Sequence, residues 1–191
     1  MSNSVKHPHF FGYGSLVNRM THQFDPIHPS QISGWRRVWH RAPVRPAAFL
    51  SVVRDADATI DGVIAPVPDD NWADLDAREY AYDRILVTET VSHTAVAVRD
   101  VSIYAIPPDH AAPPDEDHPI LLSYVDAVIQ GYLHHFGEDG ATRFAHGTEG
   151  WDTCVLNDRD APIYPRAQVL SLTERECVDD LLSDLRVRVL A

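Results

Sequence analysis

The alternation of apolar and polar positions along the chain predicts a mixture of β-strands and α-helices. Short runs rich in β-branched and aromatic residues, bounded by glycine, proline or aspartate, are typical of strands. Such runs cover residues 9–11, 34–41, 47–54, 63–67, 82–91 and 95–106. Apolar residues spaced three or four apart are typical of helices. This spacing predicts a helix of about ten residues from Trp72, one over 119–136 and one from 173 to about 184.

Turn residues predict how several of these elements are connected. Asp61-Gly62, at the end of the loop 55–61, predicts a hairpin between the strands on either side of that loop. Ser92-His93-Thr94 is expected to join the last two strands in a second hairpin. The sequence of residues 173–176 is that of a capping box and predicts the start of the last helix. Pro119 suits the first position of the helix before it.

Three longer segments have no regular period. Residues 17–33 are polar and interrupted by proline, which predicts loop with a short helical turn. Pro107–Pro119 holds five prolines and four acidic residues and is interpreted as an exposed connector. Residues 138–166 are expected to be irregular, and a short extended piece is expected at 163–170. Loops of this length are often lids or binding loops, so the part around Trp151 is a candidate lid.

The first strand runs directly into two glycines separated by one aromatic residue. In this stretch, Phe11-Gly12-Tyr13-Gly14-Ser15-Leu16, successive backbone N–H groups can form a concavity for a carboxylate or an oxyanion. Glycine accepts a positive φ and also lets a ligand approach the backbone closely. A plain turn at the end of a strand is the alternative. The stretch lacks the patterns of a phosphate loop, a dinucleotide fingerprint and a nucleophile elbow.

A carboxylate lies on the apolar side of the helix predicted from Trp72. Glu79 recurs at helical spacing with Trp72 and Leu75, so it shares the face that enters the core. Burial and a position in the last helical turn would both raise the pKa of this carboxyl group toward the range of a general base. The alternative is a boundary residue that pairs with Arg78, Arg84 or another arginine. The spacing leaves both interpretations open.

Arginines are concentrated at the strand over residues 34–41 and just after it. They are Arg36, Arg37, Arg41 and Arg45. By a period of two, Arg37 and Arg41 share one face with Trp35 and Trp39. A solvated sheet face, or a sheet edge protected by charge, explains such a cluster. The functional alternative is that one of these arginines holds a second carboxylate on a substrate.

Length, composition and charge limit the class of protein. A chain of 191 residues can form one domain with a substantial core. With 45% hydrophobic and 23% charged residues it has the composition of a soluble protein. The chain has no apolar run near the ~18 residues of a membrane span, and its first residues lack an apolar signal core. A net charge of −12 argues against nucleic acid or an anionic membrane as the main partner.

Cysteine and histidine usage gives no indication of a disulfide or metal scaffold. Cys154 and Cys177 are the only cysteines, and reduced thiols in a cytoplasmic protein explain them most simply. The chain has eleven histidines, but no pair stands at a ligand spacing. We therefore expect no metal site.

The glycine stretch and Glu79 together resemble the γ-glutamyl cyclotransferase-like superfamily. The similar features are Phe-Gly-Tyr-Gly-Ser-Leu after the first strand, and Leu75-Asp76 with Glu79 shortly before Tyr82-Asp83-Arg84. Ser123-Tyr124, at the start of a helix, is similar to a further pattern of that superfamily. The resemblance covers roughly residues 9–136. Two features differ: many members have glycine where this chain has Tyr80, and residues 151–166 match no general family pattern.

The resemblance implies a fold, a site and an activity. The fold is α+β, a small mixed β-barrel surrounded by helices, here as a single domain over residues 1–191 with an irregular C-terminal extension from about 138. Glu79 would be catalytic, and the γ-glutamyl group would be bound by Gly12, Tyr13, Gly14, Ser15, Leu16 and Tyr124. The activity would be release of 5-oxoproline from a γ-glutamyl amine or peptide, by attack of the α-amine on its own γ-carbonyl. No metal or organic cofactor is required.

Three functions are compatible with this sequence. The first is a cyclotransferase whose partner is a small γ-glutamyl molecule. The second is cleavage of a different amide on the same fold. The third is a binding module that keeps the pocket without turnover, since a fold by itself does not fix an activity.

Overall fold

The computed structural model describes residues 6–42 and 46–190. Within these ranges the strands are β1 (His7–Gly12), β2 (His28–Arg41), β3 (Ala48–Pro66), β4 (Asp83–Leu86), β5 (Val91–His93), β6 (Val98–Ala105), β7 (Ile120–Leu121), β8 (Thr148–Glu149), β9 (Cys154–Leu156) and β10 (Arg188–Leu190). The α-helices are α1 (Ala73–Arg78), α2 (Leu122–His146) and α3 (Leu172–Asp184). Short 3₁₀ turns connect several of these elements.

The strands form one mixed sheet in the order β10-β9-β7-β3-β1-β6-β4. β1 pairs antiparallel with β3 and parallel with β6. β2 pairs antiparallel with β3 over most of its length, and it also pairs with β5 and β8. The expected α+β class, a mixed sheet with a few helices, is confirmed. Among the described pairings, β4 and β10 are the two ends of the path.

β1 is buried on both faces, which explains why it reads as a continuous apolar run. Phe11 belongs to the larger apolar cluster, which includes Val128 and Ile129 of α2. Phe10, pointing to the other face, belongs to a smaller cluster with Leu75 of α1. Burial of one such side chain contributes about 1.5–3 kcal/mol. Because both faces of β1 are packed, the backbone at its last residue, Gly12, is held in a fixed position.

The chain after the glycine stretch is anchored to α2. The side-chain amide of Asn18 donates to the carbonyl of Ala127 at 2.8 Å and to the side chain of Gln130 at 2.9 Å. A Cβ on Gly131 would lie 2.7 Å from the Asn18 backbone nitrogen. α2 therefore approaches this segment as closely as a glycine allows, which fixes the glycine stretch from its C-terminal side as well.

The predicted hairpin across residues 55–61 is wrong, because β3 is one continuous strand of 19 residues. Its hairpin partner is β2, which begins at His28 instead of residue 34. The two strands change register between Ser33 and Trp35, where β3 inserts extra residues opposite Gly34. Gly34 has a φ of +82°, which a glycine adopts without strain. Residues 55–58 thus form a bulge within a strand and not a turn between two strands.

The second predicted hairpin is only partly correct. The run 82–91 is broken into the four-residue β4, a 3₁₀ turn and β5. β4 pairs antiparallel with β6, as a hairpin would require, but β5 pairs with β2. The prediction for residues 17–33 fails at its end, since the segment contains the first residues of β2.

The C-terminal third is more regular than the sequence indicated. The backbone of Gly137 is not helical, with a φ of +66°, so the helix that begins at Leu122 ends there as expected, and a further helical stretch within α2 runs on to His146. β8 and β9 lie within the segment expected to be irregular. The capping box of the last helix is formed by Ser171 and Glu174 and not by residues 173–176. β7 lies between Pro119 and α2, so Pro119 is not the first helical residue. The described residues 163–170 contain no strand.

Residues 107–119 are exposed or half-buried with one short 3₁₀ turn, as expected for a connector. Cys154 and Cys177 are both free thiols. Among the described residues, none of the helices combines the length and apolar character needed to cross a membrane.

Candidate active site

The glycine stretch leaves the end of β1 and turns into a 3₁₀ turn over Ser15–Val17. Neither Gly12 nor Gly14 has a positive φ, and the φ of Gly14 is −111°. The expectation that these glycines are needed for a positive φ is therefore wrong. They are needed because a side chain at either position would collide with a neighbour. A Cβ on Gly12 would lie 2.7 Å from the Cβ of Leu16, and one on Gly14 would lie 2.8 Å from the Tyr124 hydroxyl.

Glu79 follows α1 directly. The helix has six residues instead of the predicted ten, and the Glu79 backbone N–H still donates to the Leu75 carbonyl at 2.9 Å. Leu75 is buried, and the Glu79 side chain is only 15% exposed. The predicted apolar face of this helix therefore does carry Glu79 inward, although the residue caps the helix and does not lie within it.

Arg78 connects Glu79 to the glycine stretch. Its Nε lies 3.1 Å from Glu79 Oε1, and its side chain is 8% exposed. Its Nη2 donates to the Ser15 hydroxyl at 3.0 Å, and its Nη1 donates to the carbonyl of Thr21 at 2.9 Å. The predicted pairing of Glu79 with Arg78 is thus present. A neighbouring cation favours the charged carboxylate whereas burial disfavours it, and the raised pKa of Glu79 stays a prediction.

Glu79 and the glycine stretch line the same cavity. The cavity has a volume of about 30 Å³. Its lining residues are Phe11, Gly12, Tyr13, Gly14, Ser15, Leu16, Leu50, Glu79, Tyr82, Tyr104 and Tyr124. All seven residues named from the sequence as catalytic or substrate-binding are in this group. The roles assigned to them stay predictions.

Four tyrosines form the walls of the cavity. The Tyr82 hydroxyl donates to the Leu50 carbonyl at 2.9 Å, and the Tyr13 hydroxyl donates to the Tyr104 carbonyl at 2.6 Å. Sequence reasoning missed Tyr82 and Tyr104 as lining residues. In the sequence, the only indication for Tyr82 is its position three residues after Glu79. Tyr104 reaches the cavity because β6 pairs with β1.

The tyrosine hydroxyls at the site are neutral hydrogen-bonding groups. Burial raises the pKa of Tyr13 well above its usual value, with a smaller contribution from Tyr82. Burial likewise raises the pKa of Tyr124, and the neighbouring Tyr164 and the Glu79 charge act in the same direction. The single proton of the Tyr13 hydroxyl is already donated to the Tyr104 carbonyl, so of these two phenols Tyr124 is the one that can donate to a ligand oxygen near neutral pH. Glu79 is the ionisable carboxylate in the lining of this cavity.

A second cavity of about 30 Å³ adjoins the first and shares Glu79 and Tyr82 with it. Its lining residues are Ser15, Phe49, Arg78, Glu79, Tyr82, Tyr124, Tyr164 and Arg166. The rings of Tyr124 and Tyr164 meet edge to face, with their centroids 5.0 Å apart. Arg166 and Tyr164 come from the segment that matched no family pattern in sequence, so that segment contributes directly to the site.

The arginine-rich strand does not reach either cavity. Arg37 is buried and donates to the Tyr132 hydroxyl at 2.9 Å and to the Asp61 carbonyl at 3.0 Å. Arg36 pairs with Asp55 and Glu149, and Arg41 pairs with Asp115. Arg45 lies outside the described residues. The three described residues line neither cavity, and among the described residues the arginines that line the second cavity are Arg78 and Arg166. The expected contact of one arginine of this cluster with a substrate carboxylate stays a prediction.

Among the described residues, no group of three or more histidine, cysteine, aspartate or glutamate side chains is arranged to hold a metal ion. The polar groups that line the two cavities include the tyrosines, the backbone of the glycine stretch and the Arg78–Glu79 pair. A carboxylate beside a backbone cradle can move protons while the cradle holds an anionic or polarised oxygen.

Comparison with solved structures finds this fold in γ-glutamyl cyclotransferase structures. One structure described as a γ-glutamyl cyclotransferase superposes with a TM-score of 0.54 at 12% identity, covering 92% of this chain and 99% of its own. The human protein loc79017, described as uncharacterized, gives a TM-score of 0.54 at 12% identity, covering 91% of this chain and 99% of its own. No family model matches the chain, and no curated protein matches its sequence.

YkqA from Bacillus subtilis superposes with a TM-score of 0.58 at 17% identity over 76% of this chain. The chain spans 55% of the length of YkqA. These likenesses establish the fold alone: the chain shares the mixed α+β fold of these structures, one of which is described as a γ-glutamyl cyclotransferase. At 12–17% identity they carry the fold alone, and activity has to be argued from the site.

Proposed function

We propose that this protein is a γ-glutamyl cyclotransferase-type enzyme that releases 5-oxoproline from a γ-glutamyl amine or peptide. The observation that carries this proposal is the meeting of Glu79 with the Gly12–Leu16 backbone in one cavity. The two come from segments more than sixty residues apart and are joined through Arg78, which contacts both Glu79 and Ser15. A plain turn or a plain surface ion pair does not require that meeting.

In the proposed reaction the α-amine nitrogen of the γ-glutamyl group attacks its own γ-carbonyl carbon. A carbon–nitrogen bond forms as the five-membered ring closes, and the bond from the same carbon to the departing nitrogen breaks. The protons that the attacking nitrogen gives up are those that the departing nitrogen takes up, so no water is consumed. Glu79 would carry protons from one nitrogen to the other.

The glycine stretch supplies the second part of the proposed catalysis. Its backbone N–H groups would hold the substrate carboxylate or the oxygen on which charge develops during ring closure. Both reacting groups belong to one molecule, so holding it folded gives the amine a high effective concentration at the carbonyl. The reaction needs no group outside the chain and the substrate.

Each cavity has room for water but not for a γ-glutamyl group. Binding therefore requires the side chains between the two cavities to change rotamer, which is common when ligands bind. Glu79, Tyr82 and Tyr124 line both cavities, and turning one of the two tyrosines aside would merge them. The Tyr124 hydroxyl lies close to Gly14, since a Cβ there would be crowded by it. A substrate that enters the glycine stretch would therefore displace this hydroxyl.

The test is release of 5-oxoproline from a panel of γ-glutamyl amino acids, peptides and amines, with ligand-induced stabilisation measured on the same preparation. Product release, saturating with substrate, supports the cyclotransferase. Stabilisation by the panel without any product would support the binding module, for which the Arg78–Glu79 pair would be purely structural. Cleavage that yields free glutamate instead of 5-oxoproline would support a hydrolase on the same fold.

The cytoplasmic setting and the single-domain organisation belong to this proposal. Both were expected from the sequence, and the free cysteines are compatible with a reducing compartment. The proposed partner is the small γ-glutamyl substrate itself.

A further inference from the structure

A wider groove lies next to the second cavity and shares lining residues with it. The groove has a volume of about 450 Å³. Its lining residues are Thr21, His22, Gln23, Phe24, Asp25, Pro68, Asp74, Leu75, Arg78 and Arg166. Arg78 and Arg166 line both the groove and the second cavity. A chain of spaces therefore runs from the glycine stretch, past Glu79, to Arg166 and the groove.

Tyr164 borders this route with an unsatisfied hydroxyl. The residue is 5% exposed, and its hydroxyl oxygen is buried without a hydrogen-bond partner among the described residues. Buried hydroxyls are normally hydrogen-bonded, so an unsatisfied one beside a cavity requires an explanation. A ligand oxygen is the simplest partner for a hydroxyl at this place.

The backbone around Tyr164 is rigidly held. Asp158 is buried and accepts from the Ser123 backbone N–H at 2.8 Å, from the Ser123 hydroxyl at 2.6 Å and from the Ile163 backbone N–H at 2.8 Å. These bonds attach residues 158–163 to the first turn of α2. Because Tyr124 follows Ser123 in that turn, the same clamp positions Tyr164 against Tyr124. The unsatisfied hydroxyl is thus in a defined place and not at the end of a loose loop.

Arg166 is a cation without a carboxylate partner among the described residues. It is half-buried, and neither an ion pair nor a side-chain hydrogen bond is formed by its guanidinium within the described ranges. The other arginine of the second cavity, Arg78, is paired with Glu79. In a chain with a net charge of −12, an unpaired guanidinium beside a cavity favours an anion. A carboxylate suits it best, because guanidinium binds carboxylate with two parallel hydrogen bonds.

We propose that Tyr164 and Arg166 form a subsite that selects a leaving group with a carboxylate next to the departing nitrogen. This inference rests on the proposed cyclotransferase function and specifies its substrate. With the γ-glutamyl part in the glycine stretch, the departing amine lies at Glu79 and its substituents enter the second cavity. The carboxylate would bind Arg166 and accept from the Tyr164 hydroxyl, and the rest of the leaving group would extend into the groove.

Two substrates that differ by one carboxylate test this subsite. γ-Glutamyl-alanine and γ-glutamyl-ethylamide have the same γ-glutamyl part. The ethylamide is the alanine compound with its carboxylate replaced by hydrogen. We expect the wild type to turn over the alanine compound with a kcat/KM about tenfold to a hundredfold higher, the range of a charge-assisted hydrogen bond. Arg166→Gln should lose most of that difference by slowing the alanine compound, with the ethylamide changed less than about threefold.

Further variants separate the two residues from general damage. Tyr164→Phe removes only the hydroxyl and should reduce the preference for the alanine compound by about threefold to tenfold. Arg166→Lys keeps the charge without the planar fork and should retain part of the preference. Arg175→Gln, on an exposed position of α3, is the matched control and should leave both substrates unaffected.

Calorimetric binding of the same two compounds separates this inference from the proposed function. If Arg166→Gln weakens binding of γ-glutamyl-alanine and not of the ethylamide, the subsite stands even in the absence of 5-oxoproline release, and only the cyclotransferase proposal fails. If the wild type releases 5-oxoproline from both compounds equally well, or Arg166→Gln weakens both to the same extent, the subsite is overturned and the cyclotransferase proposal stands.

Discussion

At the scale of single residues, the catalytic proposal depends on Glu79. Glu79→Gln keeps the shape of the side chain and can still hydrogen-bond Arg78, but it cannot take up a proton. We expect kcat for 5-oxoproline release to fall by about 10²–10⁴, the usual loss when a general base is removed, with substrate binding largely kept. Product release and melting temperature should be measured on one preparation.

The alternative role for Glu79 gives the opposite pattern. If the carboxylate only balances Arg78, with Nε and Oε1 3.1 Å apart, the Gln variant should melt earlier and keep its rate per folded molecule. Glu89→Gln, an exposed acid elsewhere on the chain, controls for the change of one charge. A stable and fully active Glu79→Gln protein would end the catalytic assignment.

Gly14 is a second residue at which a single added atom, a Cβ, is expected to change stability and ligand binding. Its φ is negative, and an added Cβ would meet the Tyr124 hydroxyl at 2.8 Å. Gly14→Ala should therefore destabilise the fold by about 1–3 kcal/mol through crowding and should abolish ligand binding at the loop. Thermal unfolding of Gly14→Ala, with and without Tyr124→Phe, measures this effect.

The double variant isolates the clash, because Tyr124→Phe removes the crowded oxygen. We expect it to regain most of the lost stability, so that any activity still missing reports on the loop itself. A single Gly14→Ala variant that unfolds and turns over like the wild type would mean that the stretch is only a turn.

At the scale of elements, the candidate lid around Trp151 divides into two parts. β8 pairs with β2, and the Trp151 indole donates to the Ala145 carbonyl at 2.9 Å and packs on Trp39. That part is built into the sheet. Among the described pairings, residues 157–166 belong to no strand. They are held by the bonds that Asp158 makes to Ser123 and Ile163 and by the ion pairs of Arg159 with Asp126 and Asp179.

We therefore expect the ligand to add protection in residues 157–166, which border the second cavity, and not in the part built into the sheet. Amide hydrogen exchange with a saturating γ-glutamyl ligand should slow in this segment and stay unchanged over 148–156, because only the first borders the second cavity. Asp158→Asn should raise exchange in 157–166 even without ligand. Equal protection of both segments with and without ligand would mean that the whole region is a static cover.

At the scale of the whole molecule, the sequence predicted local structure better than long-range pairing. The three helices and β1 follow from periodicity, which is a local property. The predicted Asp61-Gly62 turn is wrong because Gly62 makes room for its neighbours: a Cβ there would lie 2.5 Å from both the Gly12 carbonyl oxygen and the Phe11 ring. A glycine needed for close packing inside a strand looks the same in sequence as a glycine needed for a turn.

For the candidate site too, the sequence predicted local features but not the contacts between distant segments. Local spacing indicated that Glu79 points inward and that Gly12–Leu16 can cradle an anion, but only the family resemblance connected the two. Arg37 was expected on a solvated face, yet it is buried against Tyr132, which lies 95 residues further along the chain. Contacts between segments so far apart are set by the packing of α2 on the sheet and leave no pattern in either segment alone.

Buried histidines make the stability of the whole molecule depend on pH. Burial lowers the pKa of His9, His40 and His135, and it lowers that of His22 to about 4. Neutral His22 is fully bonded: Nε2 donates to the Leu16 carbonyl at 3.0 Å, and Nδ1 accepts from the Phe24 backbone N–H at 3.2 Å. A proton added at Nδ1 would point at the Phe24 N–H and break that hydrogen bond, so the folded state disfavours protonation of His22.

The sign of the pH effect follows from these lowered values. The unfolded chain, with histidine pKa values near 6.5, takes up protons before the folded chain does, so stability falls as pH drops from about 6.5 toward 4. For His22 the loss should reach about 1–3 kcal/mol near pH 4, a shift of several degrees in melting temperature. Melting curves at pH 7.5, 6 and 5 should show the wild type losing stability progressively, and His22→Gln losing less of it. His146→Gln, at an exposed position, should follow the wild type. If His22→Gln and the wild type fall in parallel over this range, the buried imidazole does not control acid stability.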